Sequence, residues 1–255
     1  MTEALHIAAQ YLAAAGKSYL DPQPDDSHTN MGWNLQAGCF YTHPLGTYSD
    51  HMLALNLESF SLDFVNLDFD IVETLYLAGT NHIGIVNWIG EKANELEIGD
   101  LYKFDLHYEL PYDELWGDLM FAEPDMNELQ RIAEIRTLAV QALDHVKSVL
   151  DCDVSIRTWP HHFDTAIAIP LHGGEHSIGL GLAIADSMHE DDYFYASGWS
   201  SDGSLSLDDM EEIDDGTWIA PAWNGAVMPY EGDDSQVMRF LLQAALAIQD
   251  RSAVR

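Results

Sequence analysis

Four stretches of the chain repeat their apolar residues at helical spacing. They cover residues 3–15, 81–97, 125–150 and 235–250. Apolar side chains recur there every three or four positions, which places them along one side of an α-helix and leaves polar residues on the other. We therefore predict four amphipathic helices, of which the third is the longest.

Other segments alternate apolar and polar residues, as strands with one buried face do. The first half contains four such segments, at residues 33–42, 51–58, 61–69 and 101–110. Within the third segment the alternation breaks between Phe64 and Leu67, which predicts a bulge or a bend. The acidic stretch that follows Pro111, "YDELWGD", is predicted to be a loop.

The second half contains five predicted strands. Four are the segments "VSIRTW", "HFDTAIAIPL", "HSIGLGLAIAD" and "DYFYASGW", and a short fifth covers Thr217–Ala220. An acidic loop at 201–216, punctuated by glycine and serine, precedes the fifth strand. Helices and strands therefore follow one another in a similar order in both halves, which predicts an α+β fold with antiparallel sheets and helices packed on one face.

The two halves also share a spacing of conspicuous residues. Eleven positions separate Trp33 from Pro44 in the first half, and the same number separates Trp159 from Pro170 in the second. We interpret this match as a sign of internal duplication. The predicted halves are residues 1–122 and 123–255, which could also form one compact unit.

Composition narrows the class of protein. Apolar residues make up 47% of the 255 residues, enough for a sizeable core. No apolar run approaches the roughly 20 residues that cross a bilayer, and the N-terminus carries an acidic residue where a signal peptide has a basic one. We predict a cytoplasmic protein. Its two cysteines form no C-x-x-C pair, which excludes a thiolate zinc site of that kind.

The chain is strongly acidic, with 43 acidic and 10 basic residues and a net charge of −33. Such a charge repels nucleic acid and anionic membranes, because binding either of them requires lysine or arginine. Three interpretations remain: a solvated surface suited to a salty environment, a patch for a basic protein partner, or a mimic of nucleic acid. The spread of acids along the whole length favours the solvated surface.

The segment "WPHHFD" at 159–164 is the densest in chemically active side chains. Because successive residues of a strand point to opposite faces, the side chains of this segment can be assigned to two faces. Phe163 shares a face with apolar residues of the same strand, whereas His162 and Asp164 share the other face with alanines. In the next strand that face consists of serine, glycine and alanine, so it is either closely packed by another element or the floor of a cleft.

A histidine beside a carboxylate suits general base catalysis, and it equally suits a structural corner. We take His162 and Asp164 as the candidate catalytic pair. Tyr193, Tyr195 and Trp199 lie on one face of their strand, and together with His161 they are the candidate ligand-binding residues. No metal and no cofactor is predicted, because helical histidine pairs, dinucleotide fingerprints and phosphate loops are all missing from the sequence.

The second half resembles a bacterial family of domains of unknown function. The resemblance rests on "WPHHFDTAIAIPL", on "DDYFYASGW", and on "MPYE" followed by the apolar segment "FLLQAALAI", and it covers roughly residues 155–250. Two elements depart from the family pattern: the spacing from Trp159 to Phe163 is short, and the segment before the "YFY" strand is "GLGLAIAD". The resemblance implies the α+β fold and brings no activity.

Three functions follow as hypotheses. The first is a cleft near His162 and Asp164 that binds a small molecule or a protein partner. The second is a hydrolase in which His162 is the base, Asp164 orients it, and His161 or His176 acts as a further acid or metal ligand. The third is an acidic interaction protein without catalysis.

Overall fold

The computed structural model describes residues 2–112 and 120–253. Four α-helices lie in this part of the chain, and each corresponds to a predicted helix: α1 (Thr2–Tyr19), α2 (His82–Glu95), α3 (Met126–Val149) and α4 (Asp234–Ala253). Apart from Tyr112, the loop predicted at 112–118 lies outside the described residues.

The strands form two antiparallel sheets, so the predicted α+β class is confirmed. The first sheet contains five strands in chain order: β1 (Gly32–Asn34), β2 (Cys39–Tyr41), β3 (His51–Asn56), β4 (Ser61–Asn66) and β5 (Ile71–Tyr76). The second contains six strands: β6 (Arg157–Trp159), β7 (Asp164–Leu171), β8 (His176–Ala183), β9 (Tyr193–Ser200), β10 (Thr217–Trp218) and β11 (Gly225–Pro229). Their order across the sheet is β10-β11-β9-β8-β7-β6.

One face of the first sheet is a hydrophobic core. The register of β3 and β4 places Leu53 beside Phe64 and Leu55 beside Leu62, and all four side chains are buried. Helix α1 packs against β3. The pairing of β4 with β5 shifts between Phe64 and Val65, which confirms the irregularity predicted in this segment.

The contacts divide the chain into two compact units. The first is Met1–Thr137 with Thr158–His161, and the second is Leu138–Arg157 with His162–Arg255. The sequence places the division ahead of α3, whereas the units divide within that helix. Within the first unit, Thr158 pairs with Met31, and the carbonyl of Pro160 lies 2.8 Å from Nε2 of His6. The short returning segment is therefore tied to the N-terminal part of the chain.

The strand predicted at 101–110 is wrong, although all of these residues are described. The segment buries Tyr102, but hydrogen bonds tie it to α1, and the described residues 101–110 belong to no strand. The backbone N–H of Lys103 donates to Oγ of Ser18, and Tyr102 donates its hydroxyl to the carbonyl of Tyr11. The alternating pattern therefore predicts correctly which side chains are buried, but it wrongly predicts pairing with another strand. A side chain of a helix can accept or donate the backbone hydrogen bonds that a neighbouring strand would otherwise make.

Two strands, β5 and β11, are absent from the sequence predictions, and the segment predicted as one strand at 33–42 is the hairpin of β1 and β2. The internal duplication stays a prediction. Within the described residues, no helix is both long and apolar enough to cross a membrane.

Candidate functional site

The second sheet has one buried face and one mixed face. On the buried face the register aligns Ile169 with Ile178 and Leu180 with Ala196, and α4 packs over β8, β9 and β11. We call the opposite side the outer face. The predicted alternation of β7 and β8 is therefore observed, and Tyr193, Tyr195 and Trp199 belong to the outer face.

Small residues form a row across the outer face. Ala168 of β7 lies beside Gly179 of β8, Gly179 beside Ser197 of β9, and Ser197 beside Gly225 of β11. Ala168 is exposed, and Gly179 and Ser197 are half-buried. At the β7 to β9 end of this row, solvent thus reaches the surface of the sheet itself.

The other part of the outer face is closed by its own side chains. Ala183, Tyr193 and Val227 form a buried cluster, and Trp223 packs against it. Trp223 also covers Gly225, where an added Cβ would clash with the Trp223 ring. The glycines and alanines of this face therefore have both of the roles weighed from the sequence: close packing at one end and an open floor at the other.

Tyr195 forms the boundary between the closed and the open part. Its hydroxyl donates a 2.7 Å hydrogen bond to Oδ2 of Asp164, two strands away. The ring reaches that far because it passes over Gly181, where a Cβ would lie 2.9 Å from Cε1 of Tyr195. Burial, and then the negative charge of Asp164, raises the pKa of Tyr195 well above its usual value, so this phenol stays protonated at neutral pH.

Tyr193 and Trp199, the neighbours of Tyr195 on the same strand face, differ in exposure. Tyr193 is 5% exposed, and it donates a hydrogen bond to Oδ2 of Asp186 at 3.0 Å. Burial is the main reason why the pKa of Tyr193 is raised. Trp199 is 56% exposed and lies beside Ser177 of β8. Of the three predicted aromatic residues, Trp199 therefore presents the largest accessible ring.

The two histidines of "WPHHFD" lie in a turn ahead of β7. His162 is exposed, and it precedes Phe163, whose φ of 55° is in the left-handed region that non-glycine residues rarely adopt. His161 belongs to the first unit, where its ring lies 5.6 Å from that of Tyr108. The hydrogen bond from Tyr195 makes Asp164 part of a tyrosine–carboxylate pair, and the catalytic pairing of His162 with Asp164 stays a prediction.

The segment that supplies the strands of the outer face from β7 onward carries acidic residues but no lysine or arginine. Between Arg157 and Arg239 the sequence contains no lysine or arginine, and this segment supplies β7, β8, β9, β10 and β11. Asp164 and Asp186 are the carboxylates bonded to the outer-face tyrosines. In the described part of the chain, no three His, Cys, Asp or Glu side chains are grouped so that they could hold a metal ion. The arrangement therefore offers aromatic rings and negative charge for recognition.

One residue of this site, Ser197, is missing from the sequence predictions. Alternation contains a signal for Ser197, which lies two positions from both Tyr195 and Trp199. Trp223 lies outside regular strands, and its contact with Tyr195, at 6.2 Å between ring centroids, depends on the pairing of β11 with β9.

Comparisons of the chain with protein-family models, with curated proteins and with solved structures find no match. The resemblance of the second half to a bacterial family therefore stays a prediction.

Proposed function

We propose that the chain binds a small organic cation on the open part of the outer face. The observation that carries this proposal is the exposed ring of Trp199 beside an accessible floor of Gly179 and Ser197, on a sheet whose strands from β7 onward contain no lysine or arginine. An ammonium group is attracted to the face of an aromatic ring, and tryptophan is the best such ring.

The small residues of the open part and the ring of Tyr195 determine the shape of the proposed site. Small side chains at Ala168, Gly179 and Ser197 leave room for a ligand between Trp199 and Tyr195, and the paired strands fix the backbone positions that carry these two rings. Asp164, fixed by Tyr195, adds a carboxylate at the edge of the site. A cation gains from both the ring and the carboxylates, whereas an anion is repelled by the surrounding charge.

Binding is better supported than acid–base catalysis at the same place. A general base requires a group that accepts a proton near neutral pH, and Tyr195 keeps its proton there because its pKa is raised. The carboxylate of Asp164 is already engaged by that phenol. These groups suit orientation of a ligand.

Titration calorimetry with choline tests the proposal, with the neutral isostere that carries a tert-butyl group in place of trimethylammonium as the comparison. We expect choline to bind and the isostere to bind more weakly. Trp199→Ala should weaken choline binding at least about fivefold, because a cation–π contact contributes about 1 kcal/mol. Leu246→Ala, a change at an exposed apolar residue of α4, is the matched control. Equal binding of choline and isostere, or unchanged binding by Trp199→Ala, would sink the proposal.

A further inference from the structure

A cleft of the second unit brings a histidine and a serine together. It has a volume of about 690 Å³, and His176, Ser204, Asp202, Glu175, Ser206 and Arg251 contribute to its lining. Nε2 of His176 lies 3.2 Å from Oγ of Ser204. The volume is within the range of clefts that take small-molecule ligands, and a histidine within hydrogen-bond reach is what activates a serine as a nucleophile.

His176 is held by the sheet. It is the first residue of β8, and the register pairs it with Leu171 of β7 on one side and with Ser200 of β9 on the other. A residue between two paired strands has little backbone freedom, so the imidazole approaches Ser204 from a fixed direction.

The turn that carries Ser204 is held equally firmly. The N–H of Ser204 donates to Oδ1 of Asp202 at 2.9 Å, and the N–H of Leu205 donates to Oγ of Ser200 at 3.0 Å. Gly203 takes a φ of 71°, which favours glycine at this point of the turn. Leu205 is buried, and Nδ2 of Asn224 donates to its carbonyl. Ser204 is thus an exposed hydroxyl on a fixed turn.

Two charged residues complete the surroundings. The pKa of Asp202 is lowered mainly by its hydrogen bonds with Ser204, and attraction to His176 contributes as well. Arg251 of α4 donates from Nε to the carbonyl of Ser206 and from Nη2 to that of Asp208. Among the described residues that line the cleft, Arg251 is the only lysine or arginine, so it is the group able to offset negative charge that develops on a substrate.

From this geometry we infer that Ser204 is a nucleophile activated by His176, and that the cleft hydrolyses small uncharged carboxylic esters. Oγ of Ser204 bonds to the ester carbonyl carbon while its proton passes to Nε2 of His176. The carbon–oxygen bond to the alcohol then breaks, and the alcohol leaves with that proton. Water then bonds to the acyl carbon while His176 takes its proton. The bond between that carbon and Oγ breaks, His176 returns the proton to Oγ of Ser204, and the carboxylic acid leaves. Glu175 and Asp202 disfavour anionic esters by repulsion.

A fluorophosphonate with an uncharged alkyl chain is the probe, because it phosphonylates an activated serine irreversibly. We expect mass spectrometry of the intact, folded chain to show one label, located at Ser204 in the peptide spectrum. Ser204→Ala should abolish labelling, and Ser187→Ala, which changes an exposed serine outside the cleft lining, should leave it unchanged. His176→Asn should slow labelling at least about tenfold, since general base assistance is worth that much or more.

Hydrolysis of p-nitrophenyl acetate gives an independent readout, in which Ser204→Ala and His176→Asn should both fall to the background rate. Near-UV circular dichroism shows whether each variant keeps its fold, and Ser204→Cys extends the test, because its thiol should be alkylated faster when His176 is present. A chain that takes no label, a label that is spread over several serines, or a labelling rate independent of His176 would overturn the inference.

Discussion

The two sheets differ in what covers their outer faces. On the first sheet the side opposite the core carries the buried cluster Cys39, Met52, Ala54 and Val65, against which Tyr41 and Phe69 pack. The rings of Tyr41 and Phe69 meet edge to face at 4.9 Å. On the second sheet the corresponding side keeps an open floor of small residues beside Trp199. A face with bulky side chains covers itself, whereas a row of small residues leaves room for a ligand.

The two outer faces differ in exposure although they share the same local contacts. In each sheet a tyrosine ring lies over a strand glycine: Tyr41 over Gly32 in the first and Tyr195 over Gly181 in the second. Each outer face also carries an aspartate hydrogen-bonded to a hydroxyl, which is the hydroxyl of Ser61 for Asp63 and of Tyr195 for Asp164. Asp63 is only 2% exposed, whereas Asp164 is half-buried. The second sheet therefore closes one end of its face and leaves the other end accessible.

The largest effect is expected from Gly181→Ala, which removes the space under Tyr195. The new Cβ would lie 2.7 Å from the backbone oxygen of Thr165 and 2.9 Å from the Tyr195 ring. A backbone atom cannot move aside cheaply, so we expect a loss of about 2 to 3 kcal/mol in the free energy of unfolding, measured by urea denaturation.

Gly179→Ala is the matched control, two positions along the same strand. Its Cβ would meet only the hydroxyl of Ser197, at 2.6 Å, which can rotate away. We expect a change below about 0.5 kcal/mol. Similar losses at the two glycines would mean that strand propensity, and not the tyrosine above Gly181, determines the cost.

The substitution Tyr41→Ala should open the outer face of the first sheet. Tyr41 is half-buried, so we expect a loss of about 2 kcal/mol, below the roughly 3 to 5 kcal/mol of a fully buried aromatic residue. Burial raises the pKa of Cys39 to about 12, which keeps its thiol unreactive in the native protein.

Thiol reactivity toward an aromatic disulfide reagent is the readout. Cys39 should react slowly in the native chain and faster in Tyr41→Ala, while Cys152, which is half-buried, provides an internal reference in both proteins. If the rate at Cys39 stays the same when Tyr41 is shortened, then Tyr41 is not what closes this face.

The sequence predicts part of the difference between the two outer faces. Alternation predicts the two faces of β7 and β8 and the shared face of Tyr195 and Trp199, because period-two patterning follows from strand geometry. It does not predict that Tyr195 bonds to Asp164, since that contact crosses a third strand and depends on register. The pairing of His176 with Ser204 is likewise invisible, as 28 positions separate the two residues.

The hydrogen bond from Tyr195 to Asp164 separates the closed and open parts of the second sheet's outer face. Tyr195→Phe should lower the free energy of unfolding by about 1 kcal/mol at neutral pH, because it removes one hydrogen bond to a partly solvated carboxylate. The folded-state pKa of Tyr195 is raised. Its contribution is therefore complete below about pH 10, the usual tyrosine value, and is lost as the pH rises further, because the unfolded chain loses its proton first.

Denaturation of both proteins at neutral pH and above pH 10 checks this sign. The wild-type protein should lose more stability than Tyr195→Phe on going to alkaline pH, and the variant should still lose some, because burial also raises the pKa of Tyr11 and Tyr193. An identical alkaline loss in both proteins would show that the buried phenol of Tyr195 does not contribute.

The smallest effect on folding is expected at the open end. Trp199→Ala should change the free energy of unfolding by less than about 0.5 kcal/mol, because the ring is 56% exposed and covers little of the sheet. Tyr193→Ala, three rows away on the same strand, should cost several times more, since Tyr193 is buried in the closed cluster. A tryptophan that contributes little to stability but much to choline affinity would be a recognition residue. If Trp199→Ala destabilises the chain as strongly as Tyr193→Ala, then Trp199 is part of the packing, and the two outer faces differ less than their exposures indicate.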